Sequence, residues 1–187
     1  KKEYFKELNF NITKFNKSNI YIDKLPLNII NVGEILRVFP NAKFILAIRH
    51  PMDCVLSCYM QDFKLNNAMI NFLNLKDAAI LYKKTIDLWL QYNSIFNINY
   101  VQIKYEDLTE NFEKNIKMII KFLDLDWDKS LLDYRRTAIR RGKISTPSYH
   151  QVVQPIYKHA NKRWERYTKY LANIEPILID FVKKYKY

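Results

Sequence analysis

The 187 residues predict an α/β protein with a short, mostly parallel sheet, on three observations. Short apolar runs alternate with longer stretches of helical periodicity. The clearest run, "KFILAI" (43–48), is continuously apolar, as a buried parallel strand is. A charged or polar residue stands at the end of each candidate strand: Asp23-Lys24, Arg49 and Tyr105. In open α/β sheets ligands bind beyond the carboxyl ends of the strands. A shared edge lined for an anion is the economical account of that placement.

Taken in order, residues 3–9 read as the end of a helix, and "NIYID" (19–23) as a short strand. Pro26 opens a helix to about Arg37, with Leu27, Ile30, Ile35 and Val38 at roughly helical spacing. "FPNAK" is a turn before the strand at 43–48. Pro51 suits the first position of the next helix, and Asp53 falls in its first turn, where the helix dipole favours a carboxylate. Residues 72–95 form a long amphipathic helix. "NYVQIKY" (99–105) is a third strand, and residues 106–125 a helix with Phe112, Ile116, Ile119 and Ile120 on one side. The Arg-rich stretch 134–160 is polar and reads as irregular. Helical segments near 160–170 and 174–184 close the chain. No internal repeat or low-complexity linker divides it, so residues 1–187 are expected to form one domain.

Composition narrows the partners. The chain is 49% hydrophobic and 27% charged, a globular profile, with a formal net charge of +12. Nucleic acid, an anionic cofactor or an acidic surface all suit that charge, although the lysines are scattered. A nucleic-acid module would interleave aromatic platforms with a basic stripe on one face, whereas the tyrosines and lysines are spread over several helices. No nucleic-acid or membrane partner is expected. No apolar run is long enough to span a bilayer, and "KKEYFKELNF" lacks a signal-peptide core. A reducing, cytoplasmic setting is the default. Cys54 and Cys58 sit four residues apart on one helical face with only His50 nearby, too few ligands for a metal site. There are two glycines, Gly33 and Gly142, and neither belongs to a phosphate-cradling loop. A kinase-like reading fails for want of that loop and of carboxylates placed for Mg²⁺.

The segment "FILAIRHPMDCVLSCY" (44–59) is the most informative. Arg49 leaves a strand at the ligand edge, and Pro51 starts a helix whose free N–H groups face the same crevice. Ser57 lies two turns along. An arginine fork with a hydroxyl makes a phosphate clamp. An arginine capping a strand and a core-facing serine would give the same letters.

At this point the chain resembles the sulfotransferases that use 3'-phosphoadenosine 5'-phosphosulfate (PAPS). "FPNAKFILAIRHPMDCVLSCY" is similar to their 3'-phosphate-binding block, and "VQIKYEDLTENFEKNIKMIIKFLDLDW" to a later block whose Tyr approaches the nucleotide. "TPSYHQVVQPIYKHANKRW" is similar to the nucleotide-covering segment of tyrosylprotein sulfotransferases and of bacterial sulfotransferases fused to tetratricopeptide repeats. With "DKLPLN", the resemblance runs from about Tyr21 to Leu171.

The resemblance implies a P-loop NTPase-like three-layer fold and transfer of a sulfuryl group from PAPS to a hydroxyl or amine, without a metal. It implies that Arg49 and Ser57 hold the 3'-phosphate and that Tyr105 stands near the adenosine end. Ser148, Tyr149, Gln151 and Val152 would line the adenine and ribose side, and Arg163 would contact the cofactor. Lys24 aligns with a catalytic motif position and resembles an electrostatic stabiliser more than a base. His50, His150 and His159 match no catalytic position. The family's first strand and its glycine-containing 5'-phosphosulfate loop have no counterpart here. The expectation is therefore the C-terminal portion of the family domain, inactive by itself, with a homodimer as one way to cover the exposed sheet. The acceptor, whether small molecule, sugar or protein tyrosine, is not named by the sequence. A nucleotide-binding remnant without turnover is the alternative.

Overall fold

The computed structural model describes residues 2–11, 20–141, 156 and 160–187. They fall into two compact units, one of residues 1–43 and 87–99, the other of residues 44–86 and 100–187.

The first unit is helical. It holds α1 (Lys2–Asn11), a 3-10 turn (Pro26–Asn31) running into α2 (Val32–Val38), and the last turns of α4 (Leu75–Ile95). Pro26 occupies the first position of the 3-10 turn, where its missing N–H costs nothing. Tyr4 packs edge-on against Phe39 at 5.1 Å. The Tyr92 hydroxyl donates to the Ile30 carbonyl (3.0 Å). Gly33 admits the Tyr92 ring, since a Cβ there would stand 3.0 Å from its edge. The predicted strand at 19–23 does not form over its described residues: 20–25 are irregular. Ile20 and Ile22 are exposed. A strand needs a neighbour for its hydrogen bonds and a face to bury, and the alternation of "IYI" found neither among the described residues.

The second unit carries the sheet. β1 (Phe44–Ile48) pairs in parallel with β2 (Tyr100–Lys104), from Phe44 opposite Tyr100 to Ile48 opposite Lys104. α3 (Pro51–Tyr59) follows β1 after two residues, with Pro51 at its first position as expected. α5 (Tyr105–Glu110) follows β2 at once. The helix expected over 106–125 is broken at Asn111, and α6 (Phe112–Phe122) begins anew. The break is stabilised by Asn115, whose amide donates to the carbonyls of Asp107 and Asn111 (both 2.9 Å). The polar stretch from 134 starts with a helix, α7 (Tyr134–Arg141), not a loop. Arginine and alanine are good helix formers whatever their polarity, and Tyr134 anchors the segment against Phe112. A 3-10 turn (Arg163–Tyr167), α8 (Thr168–Leu171) and α9 (Glu175–Lys184) complete the unit. The α/β class with a short parallel sheet is the one expected. Among the described residues no helix is long and apolar enough to cross a membrane.

Its core joins α3 to the chain's end. Met52, Val55 and Leu56 meet Ala78 and Ala79 of α4 and Leu171, Ile174 and Leu178. The two alanines are fully buried. Leu178 has no exposure at all. Leu178→Ala is expected to lower stability by about 2–5 kcal/mol, the usual cost of a large-to-small change in a packed core. A urea titration checks this, as a lower midpoint with an unchanged slope.

Candidate functional site

The parallel register decides what meets at the sheet's carboxyl end. Ile48 and Lys104 are the last pair, so the next residues, Arg49 and Tyr105, emerge side by side. The Arg49 guanidinium lies over the Tyr105 ring, 4.9 Å from its centroid. It also donates to the Ala160 carbonyl. One of its nitrogens stands 3.8 Å from Oδ2 of Asp53, one helical turn on. The Arg49 side chain is only 19% exposed, and the Asp53 side chain is fully enclosed. The Arg49 Nε and the Asp53 Oδ2 are buried without a hydrogen-bond partner among the described residues.

Asp53 ties in a second element. Its Oδ1 accepts the Trp164 backbone N–H (2.8 Å). Burial pushes the Asp53 carboxyl above the usual range, and the Trp164 amide, Arg49, His50 and the Lys162 amide pull it back. Around this pair, the Asn161 amide donates to the Thr109 hydroxyl (2.9 Å). Arg163 reaches the Met60 sulfur (3.1 Å) at the end of α3. Lys162, between these contacts, adopts a left-handed backbone (φ 56°).

His50 is oriented rather than free. Its backbone N–H donates to Glu106 Oε1 (2.9 Å). Its ring stacks on Trp164 at 4.9 Å and 11°, and meets Tyr187 edge-on at 5.1 Å. Burial holds its imidazole below the ordinary pKa, against the pull of Asp53, Glu106 and Glu165. A cavity of about 340 Å³ opens beside this stack, lined also by Met52, Leu178, Val182 and the carboxylates of Glu165 and Glu175. It shares neither Arg49 nor Tyr105. The thiols of Cys54 and Cys58 share a hydrogen bond, which raises the first and lowers the second. Among the described residues no cluster of three or more metal-ligating side chains occurs.

The model of the Sulfotransferase family matches residues 3–129, well over half of the chain and continuous across both units. The chain belongs to the sulfotransferase family. An uncharacterized protein of Aquifex aeolicus (strain VF5) is 32% identical over 164 residues, covering 87% of this chain and 21% of that protein. Protein-tyrosine sulfotransferase 1 of Danio rerio is 23% identical over 151 residues, 79% of this chain and 42% of that protein. Protein-tyrosine sulfotransferase 2 of Gallus gallus is 26% identical over 133 residues, with shares of 68% and 35%. The chain therefore spans between about a fifth and two fifths of the length of these relatives.

In this sulfotransferase chain, Arg49 and Tyr105 are in contact. Ser57 is half-buried on α3, one helical turn after Asp53. Arg163 lies at the other end of α3, against Met60. Lys24 is exposed on the irregular segment of the first unit. Ser148, Tyr149, Gln151 and Val152 lie outside the described residues. Three contributors were not singled out from the sequence. Glu106 was within view, as the residue after Tyr105. Asp53 was assigned to the helix dipole, although its place four residues after Arg49 signals a pair. Ala160 acts through its carbonyl and leaves no side-chain signal.

Two outcomes follow from this geometry. A lowered His50 pKa means that the unfolded chain binds more protons than the folded one below the ordinary value of 6.5. Stability is then complete above that pH and falls as the pH drops through the window beneath it. His50→Phe, which keeps a ring against Trp164, should flatten that part of the profile in urea midpoints taken from pH 5 to 8. At Lys162 the left-handed backbone strains any residue with a Cβ, so Lys162→Gly should raise stability by about 0.5–1 kcal/mol. Thermal unfolding of the two chains checks it.

Proposed function

We propose that residues 1–187 act together as a sulfotransferase domain that grips PAPS by its 3'-phosphate and serves transfer of the sulfuryl group to a hydroxyl or amine. The observation that carries this reading is Arg49. It stands at the ligand edge of the sheet, braced from beneath by Tyr105 and Asp53, with a buried Nε–H that lacks a partner among the described residues. An orphaned donor on a cation is what a phosphate oxygen would satisfy. In this reading Ser57 adds a hydroxyl one turn beyond Asp53, and the first turn of α3 adds backbone N–H groups. The continuous family match across both units supports treating them as one domain.

PAPS, when bound, supplies the sulfuryl group. Arg49 and Ser57 would hold the half of the nucleotide that does not react, with Tyr105 near the adenosine end, Ser148, Tyr149, Gln151 and Val152 on the adenine and ribose side, and Arg163 as a further cofactor contact. Uniform binding of that half leaves the barrier unchanged. Lys24 is the candidate for offsetting charge on the bridging oxygen. Gly33 lies inside α2 and Gly142 stands far from it in sequence, so these residues supply no glycine-rich cradle for the 5'-phosphosulfate. The 187-residue chain is therefore expected to bind nucleotide and turn over none, which is also the second reading, a nucleotide-binding remnant. The names of the vertebrate relatives make protein tyrosine one acceptor class to test, beside small hydroxylated molecules and sugars.

Arg49→Ala should weaken binding of adenosine 3',5'-bisphosphate by roughly ten- to a hundredfold, the loss expected for a charge-assisted hydrogen-bonded pair. Isothermal titration measures it. Unchanged affinity would refute the clamp. Transfer from radiolabelled PAPS to phenols, sugars and peptides is expected to be absent; turnover by this chain alone would overturn both its expected inactivity and the remnant reading.

A further inference from the structure

A buried carboxylate beside an anion site is a liability, because it repels the ligand and is costly to desolvate. Asp53 is such a group. It is 1% exposed, and the nearest cation is the residue that the proposed function assigns to the 3'-phosphate. Asp53 sits in the first turn of α3, four residues after Arg49 and four before Ser57.

Its two oxygens do different things. Oδ1 accepts the Trp164 backbone N–H, which fixes the 160–164 segment over the head of α3. Oδ2 makes no hydrogen bond among the described residues and faces Arg49 at 3.8 Å. That contact is long enough to aim the guanidinium without occupying its N–H groups. The segment held by Oδ1 returns the Ala160 carbonyl to the same guanidinium. The left-handed residue Lys162 lies between the two contacts. Arg49 is thus fixed on three sides, by the Tyr105 ring, the Ala160 carbonyl and the Asp53 charge, and its Nε–H is left without a partner among the described residues.

We infer that Asp53 is a positioning residue for the nucleotide clamp, its charge setting the Arg49 guanidinium for the 3'-phosphate while its second oxygen latches the 160–164 segment. This rests on the clamp reading above. A long side chain at a sheet edge loses rotamer freedom when it grips a ligand, and a guanidinium already held in place has less to lose. Selectivity for a 3'-phosphate then depends on the charge of Asp53, not only on its hydrogen bond.

The test is Asp53→Asn, which keeps an acceptor for the Trp164 N–H and removes the charge. The measurement is the ratio of affinities for adenosine 3',5'-bisphosphate and adenosine 5'-monophosphate, by titration calorimetry on the 187-residue chain. The wild-type chain should favour the bisphosphate, and the ratio should fall at least about tenfold in the variant while the monophosphate affinity holds. A ratio unchanged or raised would show that Asp53 is only a latch, and would overturn the inference with the clamp intact. A wild-type chain without preference for the bisphosphate would remove the clamp and the role of Asp53 with it. Should the variant not fold, the wild-type chain decides by the NMR signal of the Arg49 Nε–H. A resolved, ordered resonance is expected. One averaged like that of Arg136, whose side chain is 86% exposed, would overturn the inference.

Discussion

Five residue pairs in parallel register, Phe44–Ile48 against Tyr100–Lys104, fix what happens one residue later. Parallel strands advance together, so both chains leave the sheet at the same height and on the same side. A cation that leaves one strand must meet whatever leaves the other. Here that neighbour is an aromatic ring, which supports a guanidinium on its face without competing for its N–H groups. A one-residue slip would turn Tyr105 to the opposite face of the sheet. The short sheet therefore contributes little area but sets the geometry of the edge.

The second constraint is electrostatic. The chain carries +12 overall, yet among the described residues the cation at the sheet's carboxyl end, Arg49, is enclosed and paired. Arg49 is flanked by the buried carboxylate of Asp53, and burial lowers the His50 pKa against the pull of the neighbouring carboxylates. A single well-held cation in an enclosed setting interacts more strongly with an anion than many solvated lysines do, because water screens the latter. The net charge is thus a poor guide to the site, and the local pairing a good one.

Much of this was legible. The apolar run before Arg49, the proline at the first position of α3 and the spacing to Ser57 are local signals, and local signals survive in a linear text. The strand read into "NIYID" failed because alternation states a preference that only a partner strand can realise. The break at Asn111 was missed because Asn115 satisfies the free carbonyls through its side chain, which hydrophobic periodicity does not register. The Arg-rich start of the 134–160 stretch was read as a loop from polarity, yet its residues are good helix formers. Asp53 was seen and under-read: the dipole account was sufficient, so the pair four residues back was not considered.

Part of the bracing of Arg49 and Asp53 lies beyond the family match. That match ends at residue 129, while Arg49 and Asp53 are braced by residues 160–164. The groups used there are a carbonyl oxygen and an amide N–H, which every residue but proline possesses. The path of this segment, through the left-handed turn at Lys162, brings those backbone groups to Arg49 and Asp53, while the side chains of Asn161, Arg163 and Trp164 pack against Thr109, Met60 and His50. A site built from conserved-type side chains on one element and plain backbone on another will look half as large in sequence as it is in space. The grip on Arg49 is of this kind: the Ala160 carbonyl that completes it carries no side-chain signal.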